Sequence, residues 1–324
     1  MRAVVLEGGR SSEHDVSLRS AAAIAAGLRD RGHEVEVVHL AKDGSWAHHD
    51  RPLALAPGSG LLGADVVVSG LHGAFAEDGT VQGLLELLDV PYTGSGVLAS
   101  AVCLDKIMFK DLMAAHGVPQ VRYAGVWQDG PLPDITGFRL PLWVKPARMG
   151  SSVGIARVED ESELAAAVAE AFGHDDRVVV EESAAGIEVE CSALGPVDAP
   201  EISTPGEIVL TGGESGWYDY EAKYTEGGMR LEVPARISGT ATARLKEIAA
   251  QAFTAAACSG YARIDFFVDG ETVLLNEINT LPGQTETSVY SALWAHDGVG
   301  YGELLERICE IAIQRHQRER ALTL

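Results

Sequence analysis

A chain of 324 residues exceeds one ordinary core and reads as two or three packed subdomains; 46% hydrophobic residues and 36 glycines suit an α/β protein with many tight turns. Its 25 basic against 47 acidic residues leave a formal charge of -22, which excludes a nucleic-acid partner and means that any anionic ligand must be met by a local cluster of lysines or backbone N–H groups. No basic leader or long apolar stretch follows Met1, so a cytoplasmic protein without a membrane span is expected, and Cys103, Cys191, Cys258 and Cys309, none in C-x-x-C spacing, are expected to be reduced, buried thiols.

In chain order, the pattern predicts a strand over 3–6, a Gly turn, a helix over about 16–29, a strand over 34–40, a loop, and a third strand over 64–69. Strands alternating with helices imply a largely parallel sheet with functional loops at the strands' carboxyl ends. Two such ends carry unusual polar chemistry, EGGRSSEHDVS and LHGAFAEDGT. After a boundary near Thr93, PYTGSGVLASAVCLDKIMFKDLMAAHGVP reads as a turn feeding two helical stretches, and Pro131, Pro133 and Pro141 lead into the strand LPLWVKPA. The Gly-rich loop MGSSVG, a strand, a helix over about 161–172 and the strand RVVVEES follow. The last part holds short strands, the polar loop TGGESGWYDYEAKYTEGG, a helix over about 239–259, a hairpin and a closing helix from about Tyr301.

Two glycine strings imitate a dinucleotide fingerprint and fail its context. Gly58, Gly60 and Gly63 precede a strand instead of following one, and Gly94, Gly96 and Ala99 have no acidic residue ending a strand about 20 residues on. No G-x-x-x-x-G-K-[ST] string occurs, so a P-loop is excluded. The hairpin ARIDFFVDGETVLLNEIN is more informative. It carries Asp265 on one strand and Glu277 and Asn279 on the next, oxygen donors of the kind Mg²⁺ on a polyphosphate takes. Register decides whether they converge. An odd number of turn residues puts Arg263, Asp265, Glu277 and Asn279 on one face and Ile264, Phe266, Val268, Leu274 and Ile278 on the other; a two-residue turn would bring Asn276 and Ile278 to the polar face and undo the metal site.

Other positions read two ways from local chemistry. Lys106, Lys145 and Lys223 are each either a surface lysine or a phosphate ligand, and MGSSVG is a flexible linker or a loop whose N–H groups close over phosphates. Glu181, Glu182 and Glu188 are a solvated strand end or ribose acceptors. His72 and Glu77, and likewise Glu13, His14 and Asp15, read locally as helix caps and backbone partners.

Taken together, EGGRSSEHDVSL, HGAFAEDGTVQGLLELLDVPYTGSG, LDK, VKPARMGSSVG, YDYEAKY and ARIDF with NEINTLPG resemble, in order and spacing, the D-alanine–D-alanine ligase family of ATP-grasp enzymes, from residue 3 to about residue 312. The resemblance implies an α/β fold in three subdomains: 1–93 facing the first amino acid, 94–182 as the central ATP-grasp part, and 183–324 with the metal site and active-site loop. It implies ATP-dependent ligation of two D-alanines through a D-alanyl phosphate for peptidoglycan precursors, with two Mg²⁺ ions, replaceable by Mn²⁺, in a cytoplasmic homodimer. By the same resemblance Lys106, Lys145 and Lys223 bind phosphates, Glu181, Ala184 and Glu188 contact adenosine, and Asp265, Glu277 and Asn279 hold the metals. Glu13 would hold the first ammonium, with His72 in the same amino-acid site; Ser151 and Tyr224 would close the loop, and Arg263, Gly283 and Ser288 would face the acyl phosphate and the second D-alanine. A ligase with D-lactate or D-serine as second substrate is the alternative, which Tyr224 disfavours. The family pattern is departed from at Ala76, Glu182 and Gln284, and Gln284 bears on the second substrate because it follows Gly283.

Overall fold

The computed structural model describes residues 1–150, 153–211 and 228–322. Three sheets organise the described residues. The first is built on β1 (Arg2–Gly8), which pairs in parallel with β2 (Glu34–Leu40) on one side and β5 (Val66–Ser69) on the other. Both faces of β1 are covered, as a central parallel strand requires: Ala3 and Val5 meet α1 (His14–Asp30), while Val4 and Leu6 pack in a second cluster with Leu71 and Leu85. The expected parallel sheet is therefore present, extended by two antiparallel strands, β3 (Trp46–His48) and β4 (Arg51–Pro52), in a segment expected to be loop. Their turn lacks a glycine. His49 and Asp50 take φ values of 49° and 59°, a left-handed pair that side-chain pattern does not announce.

Helices α2 (Thr80–Leu88), α3 (Val97–Leu104) and α4 (Lys106–Ala115) lead to the second sheet, antiparallel in the order β6 (Tyr123–Trp127), β9 (Arg177–Glu182), β7 (Leu142–Pro146), β8 (Ala156–Val158). Asp105 caps α4 by accepting from the Ile107 and Met108 N–H groups, satisfying donors the first turn leaves open. One face of this sheet buries Val178 and Val180 among residues of α5 (Leu164–Ala171); the other sets Val179 against Ile107 of α4.

The third sheet centres on β10 (Ile187–Gly195) and β14 (Gly260–Asp269), with β11 (Glu201–Ile202), β12 (Gly206–Leu210) and β13 (Met229–Glu232) on one side and β15 (Thr272–Asn279) on the other. Alternation is strict. Val189, Cys191 and Ala193 of β10 and Ala262, Ile264, Phe266 and Val268 of β14 bury against Leu245, Ile248, Ala252 and Phe253 of α6 (Gly239–Ala255). Each large apolar side chain so buried contributes about 1.5–3 kcal/mol. Of the opposite residues, Glu188, Glu190, Arg263, Asp265 and Phe267 face a cavity, while Leu194 and Tyr261 pack in the cluster with Val4 and Leu6. After α7 (Val289–His296), α8 (Tyr301–Arg320) returns to the first sheet, where Leu305, Cys309 and Ala312 join the cluster around α1. All four cysteines are buried and free, as expected.

The β14–β15 hairpin corrects the register expectation. Asp269 pairs with Thr272, so the turn holds only Gly270 and Glu271, the even count that was expected to undo the polar face. A bulge restores it: Phe266 pairs with Leu275 but Asp265 pairs with Glu277, leaving Asn276 as the extra residue. The apolar face therefore carries Val273 and Leu275, not Leu274, before the bulge and Ile278 after it.

Candidate active site

One cavity of about 1160 Å³ lies between the sheets, and residues from all three parts of the chain line it. The third sheet supplies its acidic wall. Glu190 and Asp265 are direct cross-strand partners, as are Asp265 and Glu277, and Arg263 and Asn279; such partners share a face. Arg263 donates to both oxygens of Asp265, Nε to Oδ1 at 2.8 Å and Nη2 to Oδ2 at 2.7 Å, and its Nε also lies 3.0 Å from Glu190 Oε2. Asn279 Nδ2 donates to Asp265 Oδ2 at 3.0 Å. Asp265, Glu277 and Asn279 thus present oxygen donors only, on one strand pair and beside a cation-free run of β15, a donor set that fits Mg²⁺ better than a thiolate- or imidazole-seeking ion.

The second sheet supplies a basic wall. Lys145 Nζ donates to Glu181 Oε2 at 2.7 Å, and Lys110 Nζ lies 3.1 Å from Glu181 Oε1. Burial alone would raise the Glu181 carboxyl, but the two ammonium groups outweigh it and bring it down to about 2. Burial likewise pulls Lys145 down, and Glu181, Glu277 and Glu188 together raise it above its ordinary value. Lys145 is thus a permanent cation on the cavity wall. Lys106 Nζ donates to the Met149 carbonyl at 2.8 Å, tying the start of α4 to the Gly-rich loop. Ala184, between β9 and β10, and Glu188 on β10 line the same cavity. Glu182, one of the departures from the family pattern, accepts from the Arg139 N–H at 3.0 Å and Nη2 at 3.2 Å.

Around the first sheet, Glu13 occupies the N-cap position of α1 but makes no side-chain cap bond. Its carboxylate reaches across to the loop after β5 instead: a Cβ at Gly73 would come within 2.6 Å of Glu13 Oε2, so only glycine, here at φ +76°, leaves the carboxylate room. Asp15 stays in the exposed first turn as expected. His72 is buried with both ring nitrogens engaged, Nδ1 3.2 Å from the Leu281 carbonyl and Nε2 2.9 Å from Ser20 Oγ. A carbonyl only accepts, so Nδ1 carries the proton and Nε2 accepts from the serine. Burial lowers the His72 pKa, partly offset by Glu13 and the Leu281 carbonyl, and the ring stays neutral. It joins the first sheet to the chain just beyond β15. Glu77 accepts from the Gly73 N–H at 2.8 Å, and burial, followed by the charge of Glu13, pushes its carboxyl up to about 8.

Beyond β15, Gly283 and Ser288 line the cavity, and Ser288 Oγ accepts from the Thr285 N–H at 3.0 Å. Gln284 does not line it. Its side chain is buried beside Tyr261, so this departure is directed into the protein and away from the space its neighbours enclose. Lys223, Ser151 and Tyr224 lie outside the described residues. Three participants were missed from sequence as site residues: Glu190, Lys110 and Glu77. Lys110 had a signal, since it sits between Ile107 and Met113 on the apolar face of α4, where a lysine needs a buried partner. Glu190 repeats Glu188 at strand period, but nothing local distinguished it from an exposed alternate.

Comparison with known proteins gives a consistent result. The family description "D-ala D-ala ligase C-terminus" matches residues 112–310, and "D-ala D-ala ligase N-terminus" matches 2–60 and 54–95. A D-alanine–D-alanine ligase of Solibacter usitatus is 42% identical over 323 residues, covering 98% of this chain and 97% of that protein. Among solved structures, the VanG D-Ala:D-Ser ligase from Enterococcus faecalis is similar with a TM-score of 0.86 at 31% identity, covering 96% of this chain and 99% of that one. The D-alanine–D-alanine ligase from Bacillus anthracis complexed with ATP is similar with a TM-score of 0.80 at 26% identity, covering 98% and 99%.

Proposed function

The chain belongs to the D-alanine–D-alanine ligase family of the ATP-grasp fold, and on that premise we propose that its cavity joins two D-alanines, with ATP as co-substrate, to D-alanyl-D-alanine for peptidoglycan precursors. What supports the reading is a juxtaposition: Glu13, the Lys145–Glu181 pair and the Arg263–Asp265–Glu277–Asn279 cluster all line one cavity though they are far apart in sequence. A carboxylate acylates poorly. The carboxylate oxygen of the first D-alanine attacks the γ-phosphorus of ATP, ADP leaves, and the amine of the second D-alanine then displaces phosphate from the acyl carbon.

Each wall has a part in that sequence. Lys106, Lys145 and, by the family resemblance, Lys223 hold the phosphates, and Ala184, Glu181 and Glu188 take the adenosine. Lys145 suits this because it stays charged while buried. Glu13 receives the first ammonium, with neutral His72 bracing the wall behind it. Arg263 and the Gly283 N–H face the oxygen that gains charge when the amine attacks, in the manner of an oxyanion hole, and Ser288 lies beside the second amino acid. By the family resemblance, Ser151 and Tyr224 would close the site against water. Asp265, Glu277 and Asn279 would hold two Mg²⁺ ions, or Mn²⁺, which spread the charge of the transferring phosphoryl group.

The subdomain division 1–93, 94–182 and 183–324 belongs to the same proposal, with α8 leaning back across the first part. So do a homodimer, for which the family resemblance is the support, and a cytoplasmic setting. Among the described residues no helix is long and apolar enough to cross a membrane, and a formal charge of -22 disfavours a nucleic-acid partner. D-Serine as second substrate is the competing reading, kept open by the similarity to VanG. Phosphate release is the test: purified protein with ATP, Mg²⁺ and D-alanine alone should turn over, and release only when D-serine or D-lactate is added would replace this reading by the competing one.

A further inference from the structure

Glu36, His48 and His49 stand together on the edge of the first sheet, and none of them lines the cavity. The local fold brings them there. Val38 of β2 pairs with His48 of β3, so Glu36, two residues before Val38, shares His48's side of the sheet. The left-handed turn at His49 and Asp50 then folds His49 back beside His48, with ring centroids 4.0 Å apart. Both imidazoles address one oxygen: His48 Nε2 is 2.9 Å and His49 Nε2 3.4 Å from Glu36 Oε2. The other oxygen of Glu36 is turned to Arg2, whose Nη2 lies 3.7 Å away and whose Nε reaches Glu34 at 3.5 Å.

One donor atom from each of the three residues falls within 4.8 Å of the others. A tetrahedral ion with ligand bonds of about 2.0–2.2 Å separates its donors by about 3.3–3.6 Å; the two His–Glu36 distances lie within about half an ångström of that range, and the two imidazoles have at most about 1.5 Å to close. We propose that Glu36, His48 and His49 form a second cation site, selective for a borderline divalent ion such as Zn²⁺, with water completing the coordination. Two imidazoles and one carboxylate suit Zn²⁺, Ni²⁺ or Co²⁺ and bind Mg²⁺ poorly, the reverse of the oxygen-only donors Asp265, Glu277 and Asn279. The bound ion ties β2 to the β3–β4 turn and pins the exposed edge of the sheet. Because it binds the folded chain, it raises thermal stability in proportion to its concentration over Kd.

The opposite preferences of the two sites separate them in one experiment. The full chain is stripped with chelator, saturated with Mg²⁺, and titrated with Zn²⁺ by calorimetry, with Co²⁺ absorption as a second readout. The wild type should take up one more Zn²⁺ equivalent than the His48→Gln/His49→Gln double variant, and Co²⁺ should give visible ligand-field bands that the double variant lacks. Turnover with Mg²⁺ and ATP should be the same in both. His49 has 75% of its side chain exposed, so His49→Gln alone, together with Glu36→Gln, keeps the test open should the double variant misfold; both should weaken the extra equivalent. Equal Zn²⁺ uptake by wild type and these variants overturns the proposal.

Discussion

Inserting one alanine between Asn276 and Glu277 tests whether the one-residue bulge aims the acidic wall. With a one-residue bulge retained, residues 277–279 change face: Glu277 and Asn279 point into the cluster under α6, and Ile278, only 3% exposed, points into the cavity. Losing the burial of one isoleucine costs about 1.5–3 kcal/mol, and burying an unpartnered carboxylate costs several more. If the slip runs toward the turn instead, Val273 and Leu275, at 4% and 1% exposure, leave the core at similar cost. Either way about 5 kcal/mol is lost, comparable with the whole stability of a domain. Deleting Asn276 instead removes the bulge and keeps every pairing from Asp269–Thr272 to Arg263–Asn279, because Glu277 then follows Leu275 directly. Urea unfolding and phosphate release should therefore both collapse in the inserted chain and both largely persist in the deleted chain, while Asn276→Ala, which keeps the register, should fold normally. Wild-type activity in the inserted chain, or a stability loss of that size in the deleted chain, would refute the reasoning.

Lys145→Ala and Glu277→Ala should each lower phosphate release by about 100-fold or more with an unchanged circular dichroism spectrum; normal turnover in either removes that residue from the site. Glu181→Ala leaves the buried ammonium of Lys110 without its carboxylate and should cost about 3–5 kcal/mol; Lys110→Met in the same chain should recover most of it, which a pair of urea titrations decides. Glu77, pushed up to about 8 from an ordinary 4.5, keeps a proton in the folded chain that the unfolded chain releases. The stability from that proton is complete at pH below the unfolded value and is lost as pH rises through about 8. Glu77→Gln still accepts from Gly73 but does not titrate, so its stability relative to wild type should climb between about pH 5 and about pH 9; parallel unfolding curves across that range would contradict the assigned burial.

Much of the architecture was legible because it depends on short-range regularities. Period-two and helical patterns located β1, α1, β2 and the closing helix to within a few residues, and Cys103, Cys191, Cys258 and Cys309 were buried and free as their spacing implied. The β3–β4 hairpin was read as loop because its turn uses His49 and Asp50 where glycine is the usual signal. Glu13 was read locally as a helix cap, and its position at the cap is right, but its carboxylate is drawn off by space that only Gly73 leaves open.

By itself, then, the sequence determined which residue types recur at which spacing, and so the family, the alternating elements and the set of polar groups available for chemistry. Only the tertiary structure decided which of those groups meet. The turn in the β14–β15 hairpin has the parity that should have turned Glu277 and Asn279 inward, and the bulge at Asn276 reverses it. Glu181 holds its charge in the interior because Lys110 and Lys145 reach it from a helix and a strand far apart in the chain. Periodicity is a property of neighbours along the chain, whereas register and charge pairing are settled by contacts between segments, where the cost of a buried unpartnered group selects one arrangement.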